Sequence, residues 1–146
     1  MKEIIVKEFA DLSTYELYEI LKARVDVFVV EQTCPYPELD NIDQRAMHIY
    51  IKENGQIKAY ARVFVREGST IQIGRVLSVE RKKYYGYEVM RKAIEVAKEY
   101  FKANKIYIEA QCYAIGFYEK FGFEVTSEPF LEDDIPHVKM ELNFRI

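Results

Sequence analysis

The fold is decided by three consecutive segments: IQIGRVLSV at 71–79, YEVMRKAIEVAKEYFK at 87–102 and IYIEA at 106–110. The first and third are apolar runs rich in β-branched residues, which are typical of strands. In the middle segment the apolar residues recur at helical spacing, which predicts an amphipathic helix. A strand, a crossover helix and a second strand predict a right-handed unit whose two strands are parallel.

The segments before this unit predict a helix and then an antiparallel strand pair. Residues 13–16 read Ser-Thr-Tyr-Glu, a capping box that opens a helix, and this helix ends before Pro35. Strands at 48–53 and 57–65 flank Asn54-Gly55, the dipeptide best suited to a tight hairpin turn. These strands therefore add antiparallel neighbours to the parallel unit.

The segments after the unit predict a short helix and further strands. The helix covers 115–121 and ends at Gly122, where a residue without Cβ suits a left-handed cap, and strands follow around Val125 and at 138–144. The expected fold class is α/β (α+β). A mixed, largely antiparallel central sheet contains one parallel βαβ unit and is flanked by about four helices.

Composition limits the functions to be considered. The chain has 146 residues of which 49% are hydrophobic, enough for one core, so we expect a single domain over 1–146. A net charge of −3 argues against nucleic-acid binding, and no apolar run approaches the roughly 20 residues of a membrane span. Cys34 and Cys112 lack zinc-ligand spacing, so we expect reduced thiols, no metal and a cytoplasmic protein.

Three stretches, at 23–40, 79–90 and 110–123, together resemble the GNAT superfamily of acetyl-CoA-dependent N-acetyltransferases. The similarity extends to the ElaA-type branch, on the segments RVDVFVVEQ (24–32), CPY (34–36), ELD (38–40), GRV (74–76) and IPH (135–137). The resemblance implies a GNAT-like domain, acetyl-CoA as co-substrate and an amine-bearing acceptor. It also allows a homodimer, a form that this family often takes.

The segment RKKYYG at 81–86 resembles the family's pyrophosphate-binding loop. Unsatisfied N–H groups at a helix N-terminus favour an anion there, although a solvated basic turn would have the same sequence. Tyr84 stands where the family usually has glycine, and a left-handed backbone at that position would cost tyrosine roughly 1–2 kcal/mol. The resemblance implies cofactor contacts from Leu77, Ser78, Val79, Arg81, Lys82, Lys83, Tyr84, Tyr85, Gly86, Gln111 and Phe117.

The segment FYEKFGF at 117–123 resembles the family's second signature, in which the tyrosine is the general acid. The resemblance therefore assigns Tyr118 to protonate the departing CoA thiolate. A phenol with a pKa near ~10 stays protonated at neutral pH and can donate that proton. The alternative is a packing tyrosine with its hydroxyl at the surface.

The acceptor must lose a proton before it attacks, because an alkylamine has a pKa near ~10.4. Glu31 is the first candidate for the base, since it ends an apolar run whose partial burial would raise its pKa. The acidic run at 132–134, together with Glu38, Asp40 and Asp43, would attract a cationic acceptor if these loops meet above the sheet. The alternatives are that this run is a solvated loop and that the histidines satisfy local hydrogen bonds. Candidate acceptor contacts are Glu38, Asp40, His48 and His137.

Three functions are compatible with these residues. The first is an acetyltransferase in which the amine attacks the thioester directly and strand amides stabilise the oxyanion. The second is a CoA-binding or interaction module without turnover, and the third is a purely structural domain. Covalent catalysis by Cys112 is disfavoured, because a single cysteine beside a core strand is usually structural.

Overall fold

The computed structural model describes residues 1–80 and 84–144. Within them the helices are α1 (Thr14–Arg24), α2 (Tyr85–Glu99) and α3 (Ile115–Glu119), and a π-helical segment, Val25–Glu31, continues α1. The strands are β1 (Lys2–Glu8), β2 (Met47–Glu53), β3 (Gln56–Glu67), β4 (Thr70–Ser78), β5 (Lys105–Gln111), β6 (Glu124–Val125), β7 (Phe130–Glu132) and β8 (Ile135–Asn143).

One mixed sheet contains all of these strands, in the order β1-β2-β3-β4-β5-β8-β6, with β7 paired to β8. Among the described residues only β4 and β5 pair in parallel, and α2 joins them. The predicted βαβ unit and the largely antiparallel sheet around it are therefore confirmed. None of the described helices is long and apolar enough to cross a membrane.

The predicted capping box opens α1. The Ser13 hydroxyl accepts from the Glu16 N–H at 3.0 Å, and the Ser13 N–H donates to the Glu16 carboxylate at 2.8 Å. The helix then widens into the π-helical segment at Val25, where β-branched valines crowd successive turns. It ends before Pro35 as predicted, and this segment lies beside the site described below.

The Asn54-Gly55 hairpin is also confirmed. Both turn residues have left-handed backbone, with φ of 55° and 75°, so the turn twists in the same sense as β2 and β3. The β7–β8 turn at Asp133 and Asp134 has the same character, with φ of 51° and 64°. The sequence did not predict β7. Aspartate tolerates this conformation better than most residues, so Asp134 maintains the turn without glycine.

The core lies on both faces of the sheet. On one face the apolar stripe of α2, including Val89, Met90 and Ala93, packs against the buried residues of the central strands. On the other face a smaller cluster joins Ile20 of α1 to Tyr50, Tyr60 and Leu77 of the sheet. Sequestering both faces holds the central strands rigidly, so a gap between two of them keeps its shape.

Candidate active site

A β-bulge separates the two parallel strands. Between the pairs Tyr60–Leu77 and Arg62–Gly74 β3 has one residue and β4 has two, and Arg75 has a φ of 52°. Such a bulge bends the strand that carries it. Beyond Gln72, accordingly, no described residue of β4 pairs with β5. A cavity of about 720 Å³ opens between the diverging strands.

The β4 edge forms one wall of this cavity. Residues 73–78 line it, among them Leu77 and Ser78, two of the predicted cofactor contacts. The Ser78 hydroxyl oxygen is buried and has no hydrogen-bond partner in the described part of the chain. Val79 is turned to β3 instead, since its N–H donates to the Lys58 carbonyl at 2.9 Å, and it does not line the cavity.

The N-terminus of α2 lies at the same wall. Tyr84 is its N-cap in left-handed backbone, with a φ of 61°, and no side chain caps the first turn. A Cβ at Gly86 would lie 3.5 Å from Ser78 Cβ and 3.9 Å from Phe117, so the first turn packs directly against β4 and α3. Its free N–H groups are therefore suited to an anion at the cavity mouth.

The other residues predicted to form the loop are Tyr85, which the structure describes, and the three residues at 81–83. Tyr85 is buried, and its hydroxyl donates to Glu53, so its side chain points away from the cavity. The cofactor contact predicted for Tyr85 can therefore come only from its backbone N–H, because the ring fills the interface between α2 and β2. The predictions on Arg81, Lys82 and Lys83 lie outside the described residues.

Tyr118 lines the cavity from α3, next to Phe117. Its ring is partly buried, edge-on to Phe117 at 5.1 Å and to Phe123 at 6.1 Å between ring centroids. Burial raises the pKa of the Tyr118 phenol above its usual value, so the hydroxyl is protonated at neutral pH. Gln111, at the end of β5, also lines the cavity and exchanges amide hydrogen bonds with Gln32 at 3.1 and 3.4 Å.

Glu31 lies elsewhere. It ends the π-helical segment with its side chain exposed, and it does not line the cavity. The expected partial burial of Glu31 is wrong, because the segment turns Val27, Phe28 and Gln32 inward instead. The wider π-helical turn sets which residues face inward, and this winding is not visible in an apolar run.

Glu38 and Asp40 belong to a buried network of ion pairs. Glu38 lines the cavity and accepts from Arg24 at 2.9 Å and from Arg75 at 2.6 Å. Burial alone would raise the pKa of Asp40, but its hydrogen bond with Arg62 outweighs this and lowers the pKa to about 2. Asp40 does not line the cavity. Both carboxylates are neutralised by arginines, so they shape the wall and offer a cationic acceptor little net charge.

The two histidines have different positions. His48 is fully buried, with Nδ1 2.6 Å from the Tyr60 hydroxyl and Nε2 2.9 Å from the Asp43 carbonyl, and it does not line the cavity. Burial lowers the pKa of His48, so it is neutral, and the expected acceptor contact from His48 is wrong. His137 does line the cavity, with Nδ1 2.7 Å from the Ile135 carbonyl and its ring stacked on Phe130.

Two further carboxyls line the cavity, namely Glu109 of β5, which the sequence did not single out, and Glu132 of β7, the first residue of the acidic run. The two are hydrogen-bonded to each other, and the Tyr107 hydroxyl donates to Glu109 at 2.7 Å. Burial and the hydrogen bond to Glu109 raise the pKa of Glu132 to about 7. An acid inside the apolar strand IYIEA was the available signal for Glu109, whereas the acidic run was expected either to attract a cationic acceptor or to form a solvated loop.

The cavity is roofed where the loop after α1 meets the β7–β8 turn. The Cys34 thiol donates to the Asp133 carbonyl at 3.3 Å, and the Tyr36 hydroxyl donates to the Asp134 carboxylate at 2.6 Å. Cys34 and Cys112 are both free thiols. The segments of the branch resemblance thus enclose one cavity, although they are far apart in the sequence.

Comparison with known proteins identifies this arrangement. The sequence model of the acetyltransferase (GNAT) domain matches residues 14–144. The chain belongs to the GNAT acetyltransferase family. It is 42% identical over 144 residues to a UPF0039 protein of Schizosaccharomyces pombe, with 96% of each chain covered. It is 36% identical over 137 residues to the protein ElaA of Escherichia coli, with 90% of each covered.

Solved GNAT structures confirm the fold. The crystal structure of an acyl-CoA N-acyltransferase from Pseudomonas aeruginosa superposes with a TM-score of 0.89 at 37% identity, covering 95% of this chain and 98% of that one. The crystal structure of Escherichia coli ElaA superposes with a TM-score of 0.90 at 33% identity, covering 97% and 99%. The resemblance to the ElaA-type branch of the GNAT family is therefore confirmed.

Proposed function

We propose that this GNAT protein transfers an acetyl group from acetyl-CoA to the amine of an acceptor by direct attack, in the cytoplasm. The observation that carries the proposal is the cavity between β4 and β5, which brings a free strand edge, a helix N-terminus and a protonated phenol together. The Pseudomonas aeruginosa relative, named an acyl-CoA N-acyltransferase, supports the same class of reaction.

The residues on the β4 side fit the cofactor. The backbone edge of 73–78 can pair with an extended amide chain, and the buried Ser78 hydroxyl lacks a partner among the described residues. The first turn of α2 presents free N–H groups to an anion such as a pyrophosphate. Acetyl-CoA supplies an activated thioester, and these residues hold it and orient its carbonyl.

Tyr118 is the proposed acid. Its side chain lines the cavity, and its raised pKa keeps the phenol protonated at neutral pH. The CoA thiolate is a weaker base than a tyrosinate, so the phenol can pass its proton to sulfur only in contact with it and while regaining a proton from the nitrogen. A thiol with a pKa near ~8.5 leaves fairly well unaided, so Tyr118→Phe should slow turnover by about 10²-fold or less.

The test follows release of free CoA thiol from acetyl-CoA with a panel of alkylamines, arylamines and amine-bearing peptides. Wild-type turnover with one acceptor, slowed in Tyr118→Phe and intact in Tyr15→Phe, would support the proposal. Tyr15 is a suitable control, since it is exposed on α1 and does not line the cavity. A thermal shift with acetyl-CoA but no turnover would favour the CoA-binding module. If the protein showed neither a thermal shift nor turnover, both the acetyltransferase and the CoA-binding module would be rejected.

A further inference from the structure

We propose that the Glu109–Glu132 carboxyl pair is the acceptor subsite of this cavity, where it binds an alkylammonium ion and takes the proton that the nitrogen loses before attack. The inference rests on the proposed acetyltransferase function and deepens it in two ways. It assigns the base, and it specifies an acceptor that is cationic in solution.

The geometry presents the two carboxyls differently. Glu109 is the more enclosed, with a side chain 23% exposed and held by the Tyr107 hydroxyl. The Glu132 side chain is 42% exposed and lies 3.7 Å from His137 Nε2. Glu109 is thus a fixed acceptor of hydrogen bonds, and Glu132 is the partner with room to receive a ligand.

Among the described residues, no arginine is hydrogen-bonded to the pair. Arg66 approaches Glu109 only to 4.0 Å and stacks on the Tyr107 ring instead, while Arg75 is bonded to Glu38 and Asp40. Two carboxylates in contact cannot both ionise cheaply, so the pair takes up a proton more readily than a lone carboxyl does. In the described part of the chain the titratable and charged groups around it include Arg66, Arg75, Tyr107, Asp133 and His137, and Lys139 of β8 stands opposite Glu109.

The pair differs from the other carboxylates of the site in what neutralises its charge. Glu38 and Asp40 have arginine partners, whereas the Glu109–Glu132 pair satisfies itself with a proton that a cation can replace. Across the cavity the Ser78 hydroxyl is a buried polar group without a partner in the described residues. An unsatisfied hydroxyl on one wall and a replaceable proton on the other both fit a bound polar ligand.

The protons balance over one turnover. Binding of the ammonium ion between the carboxyls releases their shared proton to solvent. One carboxylate then takes a proton from nitrogen, which restores the one-proton pair and gives the neutral amine. The nitrogen forms its bond to the thioester carbon, the carbon–sulfur bond breaks, and the second nitrogen proton reaches sulfur through Tyr118. The sum is alkylammonium plus acetyl-CoA giving N-alkylacetamide, CoA and one proton.

The first experiment needs no turnover. n-Butylammonium chloride is added to the weakly buffered protein at pH 7, and the protons released are measured. We expect a release of less than one proton per chain, because the raised pKa of Glu132 leaves the pair partly protonated at this pH. Glu132→Gln should release none and the exposed control Glu128→Gln should match wild type. No release from wild type would overturn the inference.

The second experiment compares two acceptors. Glu132→Gln should lower kcat/KM about 10²-fold or more for n-butylamine but less than about threefold for aniline, which is already neutral at pH 7. Equal losses for both amines would indicate a structural role and overturn the inference. If wild type acetylates neither amine nor any member of the panel, the proposed function fails, while proton release still tests the pair.

Discussion

Arg24 offers the sharpest test of the ion-pair network. Its guanidinium is fully buried, 2.9 Å from Glu38 and 2.7 Å from Asp43, and it lies 5.7 Å from the centre of the Tyr60 ring. Arg24→Met removes this charge, so each of the two buried carboxylates loses one of its two arginines. Glu38 keeps Arg75 at 2.6 Å, and Asp43 keeps Arg62 at 3.1 Å. Because the carboxylates stay partly compensated, we expect a cost of about 3 kcal/mol of the free energy of unfolding, the lower end of the range for a broken buried pair.

Lys22→Met is the matched control on the same helix. Lys22 pairs with Asp26 at 2.8 Å, but the two side chains are 63% and 55% exposed. Such an exposed pair contributes little to stability because water screens both charges, and methionine is a good helix former at either position. The two variants therefore differ mainly in the burial of the charge that is lost.

Urea unfolding followed by circular dichroism measures the difference. We expect Arg24→Met to lower the midpoint strongly and Lys22→Met to leave it almost unchanged, with similar m-values in both. Since domains of this size are stable by about 5–15 kcal/mol, the loss in Arg24→Met is a large fraction of the total. A difference below about 1 kcal/mol between the variants would refute the argument that burial makes this network essential.

The other predictions concern the loop before α2 and the stability of the protein at low pH. Tyr84→Gly should raise the free energy of unfolding by about 0.5–1 kcal/mol, because the relief of left-handed strain exceeds the conformational entropy that glycine adds to the unfolded chain. Tyr84→Ala should give no such gain, because alanine keeps the Cβ that causes the strain, and thermal unfolding of both variants measures the difference. The pKa of Asp40 is about 2 in the folded protein against an ordinary 3.8, so its contribution is present above about pH 4 and lost as the pH falls towards 2. Asp40→Asn should remove about 1–2 kcal/mol of that acid-dependent loss after allowance for solvent screening, and an unchanged pH dependence would contradict this.

Local patterns accounted for the elements with strong short-range signals. The capping box at Ser13, the turn at Asn54-Gly55 and the stripe on α2 each depend on residues a few positions apart, so the sequence sufficed. β7 was not predicted because its three residues are too few to show an alternating pattern of apolar and polar residues. Of the residues that the resemblance assigned to the cofactor, six line the cavity, namely Leu77, Ser78, Tyr84, Gly86, Gln111 and Phe117.

The acceptor side depended on tertiary contacts. Glu31, Glu38, Asp40 and His48 are all plausible by residue type, yet one faces solvent, two are paired with arginines and one is buried under the network. A residue's charge can be read from its letter, but its ionisation depends on neighbours that the fold brings from distant segments.

The sequence by itself determined the fold, the family and the strand-loop-helix unit at the cavity wall, because these follow from periodicity and from motifs of contiguous residues. Only the tertiary structure decided which carboxyls share the cavity. Glu109 and Glu132 are 23 positions apart in the sequence, and they meet because β8 pairs with β5 on one side and β7 on the other. No local pattern encodes that contact, since it arises from the register of three strands and the bulge that opens the gap beside them.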